Sequence, residues 1–211
     1  MKRPLQRMHV FVAILLLTSA MAGCGRTPSS YIGQIRAHCP DGWQASASNN
    51  STVLRRKADV WVMGKVSNPP PDPKESEAAY FQRWGHQIHY ELRLRFVPLL
   101  SPPELEKLLA ARQQAAARLA HCASKSEYDR LRIEYENCQI PTLFTKDQSI
   151  YVERWADIDE TNSYRLEPGF IAVYPPEAAL EIEALVNSLG KVFNEYEPAT
   201  NKLTGKVHSK P

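Results

Sequence analysis

Two adjacent pairs, His38-Cys39 and His121-Cys122, bring together the side chains most often used for metal binding and nucleophilic chemistry. Four such ligands would suit tetrahedral zinc. A thiol beside an imidazole would suit covalent catalysis. The spacing serves neither, because neighbouring side chains diverge on a strand or a helix. C-x-x-C and H-x-x-x-H are absent. His86 and His89 are three positions apart and would face opposite sides of a strand. Asp157, Asp159 and Glu160 cluster after Trp155, a grouping that could hold calcium or support acid–base work. It lacks the glycine and the distal glutamate of an EF-hand loop and reads as a solvated turn. Arg93 and Arg95, beside His89, could meet an anion on an open sheet face, although a solvated face is the plainer reading. G-x-S-x-G, a glycine-rich phosphate loop and H-E-x-x-H are all missing. The expectation is therefore no catalytic residue, no metal and no cofactor.

The elements that carry these residues can be read from periodicity. From His86 to Phe96 the residues Ile88, Tyr90, Leu92, Leu94 and Phe96 share one parity, and Gln87, His89, Glu91, Arg93 and Arg95 share the other. Such alternation predicts an antiparallel strand with one buried and one wet face. Trp43 to Ala47 and Thr52 to Arg56 flank Asn49-Asn50 as a hairpin, and Val60 to Val66 is a further β-rich run. Prolines 69, 70, 71 and 73 make a stiff connector. Glu75 to Trp84 suits a short helix. Ser101-Pro102-Pro103-Glu104 and Ser124-Lys125-Ser126-Glu127 are two helix starts of the capping-box kind. The apolar stripe Leu105, Leu108, Leu109, Ala116 and Leu119 is out of phase with Tyr128, Leu131, Tyr135 and Cys138, so the helix breaks near Ala123 and ends before Pro141. Thr142 to Phe144 and Ser149 to Trp155 form a second hairpin. A strand from Arg165 to Tyr174 is interrupted at Pro168-Gly169. Pro175-Pro176-Glu177 opens a last helix with the stripe Ile182, Leu185, Val186, Leu189, Val192, Phe193 and Tyr196. This order suits an α+β two-layer sandwich, a largely antiparallel sheet with three to four helices on one face.

The N-terminus carries chemistry of another kind. Lys2, Arg3 and Arg7 precede an unbroken apolar run from Val10 to Leu17. That run is too short to span a bilayer and has the length of a signal-peptide core. Ala20-Met21-Ala22-Gly23-Cys24 follows. These residues resemble the lipobox of bacterial lipoproteins, with Met21 in place of the usual leucine. The resemblance covers about 24 residues and implies cleavage between Gly23 and Cys24, with a diacylglyceryl group on the Cys24 sulfur. Two or three acyl chains give stable anchoring where one does not. Membrane lipid is thus the implied partner. Gly25 stands where an aspartate would retain a lipoprotein at the inner membrane, which favours the outer one.

Removing residues 1–23 changes the charge balance. The whole chain is formally +3. Three of its 26 basic residues and none of its 23 acidic ones lie in that segment, so the remainder is neutral. A neutral body has no electrostatic footprint for nucleic acid. Residues 24–30 read as the lipidated cysteine and a polar tether, 31–197 as one α+β domain, and 198–211 as an unpacked tail with Lys202, Lys206 and Lys210. With Cys24 acylated, Cys39, Cys122 and Cys138 are left to form any disulfide. Cys122 and Cys138 are separated by most of a helix, roughly 20 Å, so they pair only if that helix is broken; Cys39 can pair with either. The expected function is a lipid-anchored cell-envelope protein, a non-catalytic binding or structural accessory with room for an envelope protein partner. The alternatives are an envelope hydrolase with a site of unfamiliar pattern and a carrier of apolar ligands.

Overall fold

A computed structural model describes residues 27–48, 50–65, 70–158, 162–197 and 202–204. Gly23, Cys24, Asp159 and Glu160 fall outside the described residues. A single 3-10 turn, Pro28–Ser30, leads into helix α1, Ile32–His38. Strands β1 (Trp43–Ala47), β2 (Ser51–Arg56) and β3 (Val60–Gly64) precede helix α2, Glu77–Trp84. The long strand β4 (His86–Pro98) is followed by α3 (Pro102–Ala120) and α4 (Lys125–Asn137). Then come β5 (Leu143–Phe144), β6 (Gln148–Asp157), β7 (Ser163–Leu166), β8 (Ile171–Tyr174), α5 (Pro176–Leu189), β9 (Asn194–Glu197) and β10 (Lys202–Thr204).

All ten strands among the described residues belong to one antiparallel sheet, and β4 is its spine. One edge of β4 pairs with β6 from His89 to Pro98. The other edge pairs with β2 over Glu91–Arg95 and with β3 over His86–Ile88. β7 flanks β6 and β8 flanks β3, yet only residues 167–170 join them. Four flat strand spacings would be about 19 Å, at the limit of what five residue steps can reach. The sheet therefore curls at this end.

The even-numbered side chains of β4 build the core, as the alternation requires. Leu92 and Leu94 are fully covered, together with Leu54, Ile150, Ile35 and Leu189. Full burial of each stabilises by roughly 1.5–3 kcal/mol. Helix α1 supplies Ile35, and α5 supplies Ala178, Ile182, Leu185 and Leu189, so these two helices close the apolar face. Helices α3 and α4 form a hairpin broken at residues 121–124, near the expected Ala123. Ser101 and Glu104 satisfy each other's backbone in a capping box, and the Ser124 hydroxyl accepts from the Glu127 amide. This hairpin reaches the opposite side of the sheet, where Arg95 donates to Gln139 Oε1 and Arg165 to the Glu136 carbonyl.

The α+β class and the antiparallel sheet are as the sequence suggests, with helices contributing to both faces. Three local expectations need correction. Pro28–Ser30, assigned to the tether, is folded, and Pro28 is buried; packing begins before Tyr31. The last helix stops at Leu189, so Val192 and Phe193 lie in the following turn and Tyr196 in β9. Lys202–Thr204, assigned to an unpacked tail, pair with β9.

Candidate functional site

The odd-numbered side chains of β4 meet their cross-strand neighbours in rows. Gln44, Arg55, Glu91, Trp155 and Arg165 stand opposite one another across five strands. Arg93 is opposite Glu153, Arg95 opposite Tyr151, and His89 opposite Asp157. Register alone thus collects arginines, carboxylates and aromatic rings on one face.

Glu91 organises this face. It is only 3% exposed, although it points away from the hydrophobic core. Its Oε1 accepts from Arg55 Nε at 2.7 Å, and its Oε2 accepts from Arg93 Nε at 2.9 Å. Arg55 also reaches Asp157. The hydrogen bond to Glu91 is the largest of the causes that push the Arg55 guanidinium above its ordinary pKa, with Asp157 adding to it. Arg93 lies 4.2 Å over the ring of Trp155, and Arg95 lies 4.2 Å over that of Tyr151. Glu153 ties these two stacks together, accepting from Arg95 Nε at 2.8 Å and from Trp155 Nε1 at 3.1 Å. Three guanidiniums are balanced by Glu91, Glu153 and Asp157, each in hydrogen-bond contact, so Arg93 and Arg95 are not idle anion traps. They are stiffened donors on a polar surface.

An open groove of about 970 Å³ runs from this face over the β1 edge. Arg36, Gln44, Arg55, Lys57, Glu91 and Arg93 are among its walls. A smaller pocket of about 200 Å³ lies where α3 meets β6 and β7. Glu167 lines it, with Arg112 Nη2 and Arg165 Nε each 3.7 Å from its carboxylate. Burial pushes the Glu167 carboxyl above its ordinary range, the two arginines pull it back, and Glu136 adds to the rise. Little in the local sequence marks Glu167: Arg165 stands two residues before it at the end of β7, but Arg112 comes from α3, which only tertiary packing brings near. On the apolar side, burial raises the Tyr90 phenol well above the usual tyrosine value.

The other residues singled out by type do not converge. His38 Nδ1 bonds to the Gln34 carbonyl of its own helix at 2.9 Å. His89 Nδ1 faces Asp59 Oδ1 at 2.6 Å. His121 terminates α3. Cys39, Cys122 and Cys138 are free thiols, and burial pushes the Cys39 thiol up. The intact helix α4 lies between Cys122 and Cys138. Asp157, expected in a solvated carboxylate cluster, pairs with Arg55. Among the described residues no group of three or more His, Cys, Asp or Glu is placed to hold a metal ion. No helix among them is long and apolar enough to cross a membrane. No protein-family model, curated protein or solved structure matches the chain.

Proposed function

We propose that the chain is a lipid-anchored cell-envelope protein that acts by binding, with the arginine face of the sheet as its contact surface. The observation that carries the binding reading is Glu91. A buried carboxylate that fixes Arg55 and Arg93 in place prepares a surface whose donors lose little freedom on association. The lipobox residues Ala22-Gly23-Cys24 carry the anchoring reading. An apolar-ligand carrier gains no support from a groove walled by Arg36, Arg55, Lys57 and Arg93. An envelope hydrolase has one supporting feature, the raised carboxyl of Glu167, and its neighbours Arg112 and Arg165 suit a structural clamp better than an acid–base pair.

The test fractionates cells that express the wild type or Cys24→Ala. Wild type should sediment with the envelope membranes and Cys24→Ala should become soluble. Intact mass should show a cleaved chain that carries acyl groups. A bare thiol or an uncut leader would remove the anchoring reading. Arg93→Ala combined with Arg95→Ala should leave the anchored protein folded and deplete whatever co-purifies with it. An unchanged set of co-purifying proteins would remove the arginine face from the binding reading.

A further inference from the structure

Every turn at one end of the sheet can be placed from register alone. Ser51 pairs with Arg95, Pro98 with Gln148 and Phe144 with Asn194. The β1–β2 turn, the β4–α3 loop, the β5–β6 turn and the α5–β9 turn therefore all lie at this end. The start of the folded chain lies there too, because Tyr31, directly after the 3-10 turn, stacks on Phe96 at 5.8 Å and packs edge-on to Phe193 at 5.3 Å. So does the exit from β10, since Thr204 pairs with Glu195 next to Asn194.

We propose that this end of the sheet faces and touches an anionic bilayer surface. The proposal rests on the acylation of Cys24, since four residue steps from Cys24 to the buried Pro28 reach at most about 14 Å. So short a connection leaves the end that holds Pro28 next to the headgroups. The surface there has fitting chemistry. Pro98 and Leu99 form an exposed apolar tip, with Leu99 41% exposed. Lys146 and Lys191 are exposed in the neighbouring turns. Lys107 is exposed in the second turn of α3. The acids at this end include Asp147, Glu104 and Glu106, with Glu195 placed there by register. Asp147 accepts from the Thr145 hydroxyl at 2.9 Å, and Glu104 is held by the Ser101 cap at 2.7 Å and 2.8 Å. An apolar tip among lysines matches a headgroup layer with negative lipids, where each basic residue strengthens binding about five-fold.

The purified acylated protein is placed in phosphatidylcholine vesicles with or without phosphatidylglycerol, and lysine modification is followed by mass spectrometry. Lys146 and Lys191 should react about five-fold more slowly when phosphatidylglycerol is present. Lys57, beyond the far end of β2, should not change. The difference should fade in 1 M salt, where the screening length shrinks to about 3 Å. Equal rates in both vesicle types, or protection centred on Lys57, would overturn the proposal and leave the anchor standing. An intact mass without acyl groups would overturn both.

Discussion

The two faces of β4 come from the same eleven residues of strict alternation and are stabilised in unlike ways. The even face is closed by α1 and α5, and its strength is burial: Leu92 and Leu94 have no exposed surface. The odd face is closed by nothing so continuous. It stays in place because Glu91, Glu153 and Asp157 each hold an arginine, and because Arg93 and Arg95 lie over aromatic rings. The first face should therefore be insensitive to salt and intolerant of lost volume, and the second tolerant of lost volume and sensitive to charge. A surface of the second kind stays available to a partner, which the first cannot do.

The largest difference between the faces should come from truncating each at its centre. Leu94→Ala removes a fully buried side chain and should cost about 3 kcal/mol, within the usual range for such cavities. Urea unfolding followed by tryptophan fluorescence would measure it. A loss below about 1 kcal/mol would mean that the even face is not the principal core. Glu91→Gln keeps the shape and removes the charge. It should cost about 2 kcal/mol, as hydrogen bonds to charged groups do, because Arg55 and Arg93 retain enough exposure to be partly rehydrated. The loss should shrink in high salt, whereas the Leu94→Ala loss should not.

These contrasts also mark how far the sequence could be read. Alternation in β4 made both faces visible, and the serine caps at Ser101 and Ser124 made the helical hairpin visible, because both signals are local. Glu91 looked like one more wet residue. Its burial depends on Arg55 and Arg93 lying over it, and the pairing with Arg55 is set by β2–β4 register, which no local pattern announces. Helix α1 was missed because Ile32–His38 holds Gly33 and is too short for a periodic stripe. Tyr196 continued the apolar spacing of α5, yet the chain turns after Leu189 and Phe193 packs instead against Tyr31 and Phe96. The Glu167 pocket joins Arg112 of α3 to Arg165 of β7, a meeting fixed only by how the hairpin docks.

A smaller effect separates the stacked arginines from the carboxylates beneath them. Arg93→Met keeps an apolar stem over Trp155 and removes the guanidinium. A partly exposed cation–π contact is worth about 0.5–1 kcal/mol, and the bond to Glu91 is lost with it. The variant should therefore lose about 1–2 kcal/mol, less than Glu91→Gln, because Glu91 keeps Arg55. A shift in tryptophan emission should accompany the loss, since Trp155 would gain a different neighbour. If Arg93→Met proved the costlier change, the face would be organised by its arginines and Glu91 would merely follow.

The smallest expected effect concerns the direction of a pH dependence. The Glu167 carboxyl has a native pKa above its unfolded one, because burial outweighs the pull of Arg112 and Arg165. The folded protein then holds this proton more tightly than the unfolded chain does. The stability gained from that proton is complete below the unfolded pKa and is lost as pH rises through the native one. Glu167→Gln has no such titration. The stability of wild type relative to the variant should therefore fall as pH climbs from the ordinary glutamate range through the raised native value, and level off above it. Urea midpoints measured for both proteins across that interval would show it. A relative stability that rises with pH would mean that the arginines prevail over burial. The pocket would then share the charge-paired character of the odd face, although it lies beneath a helix.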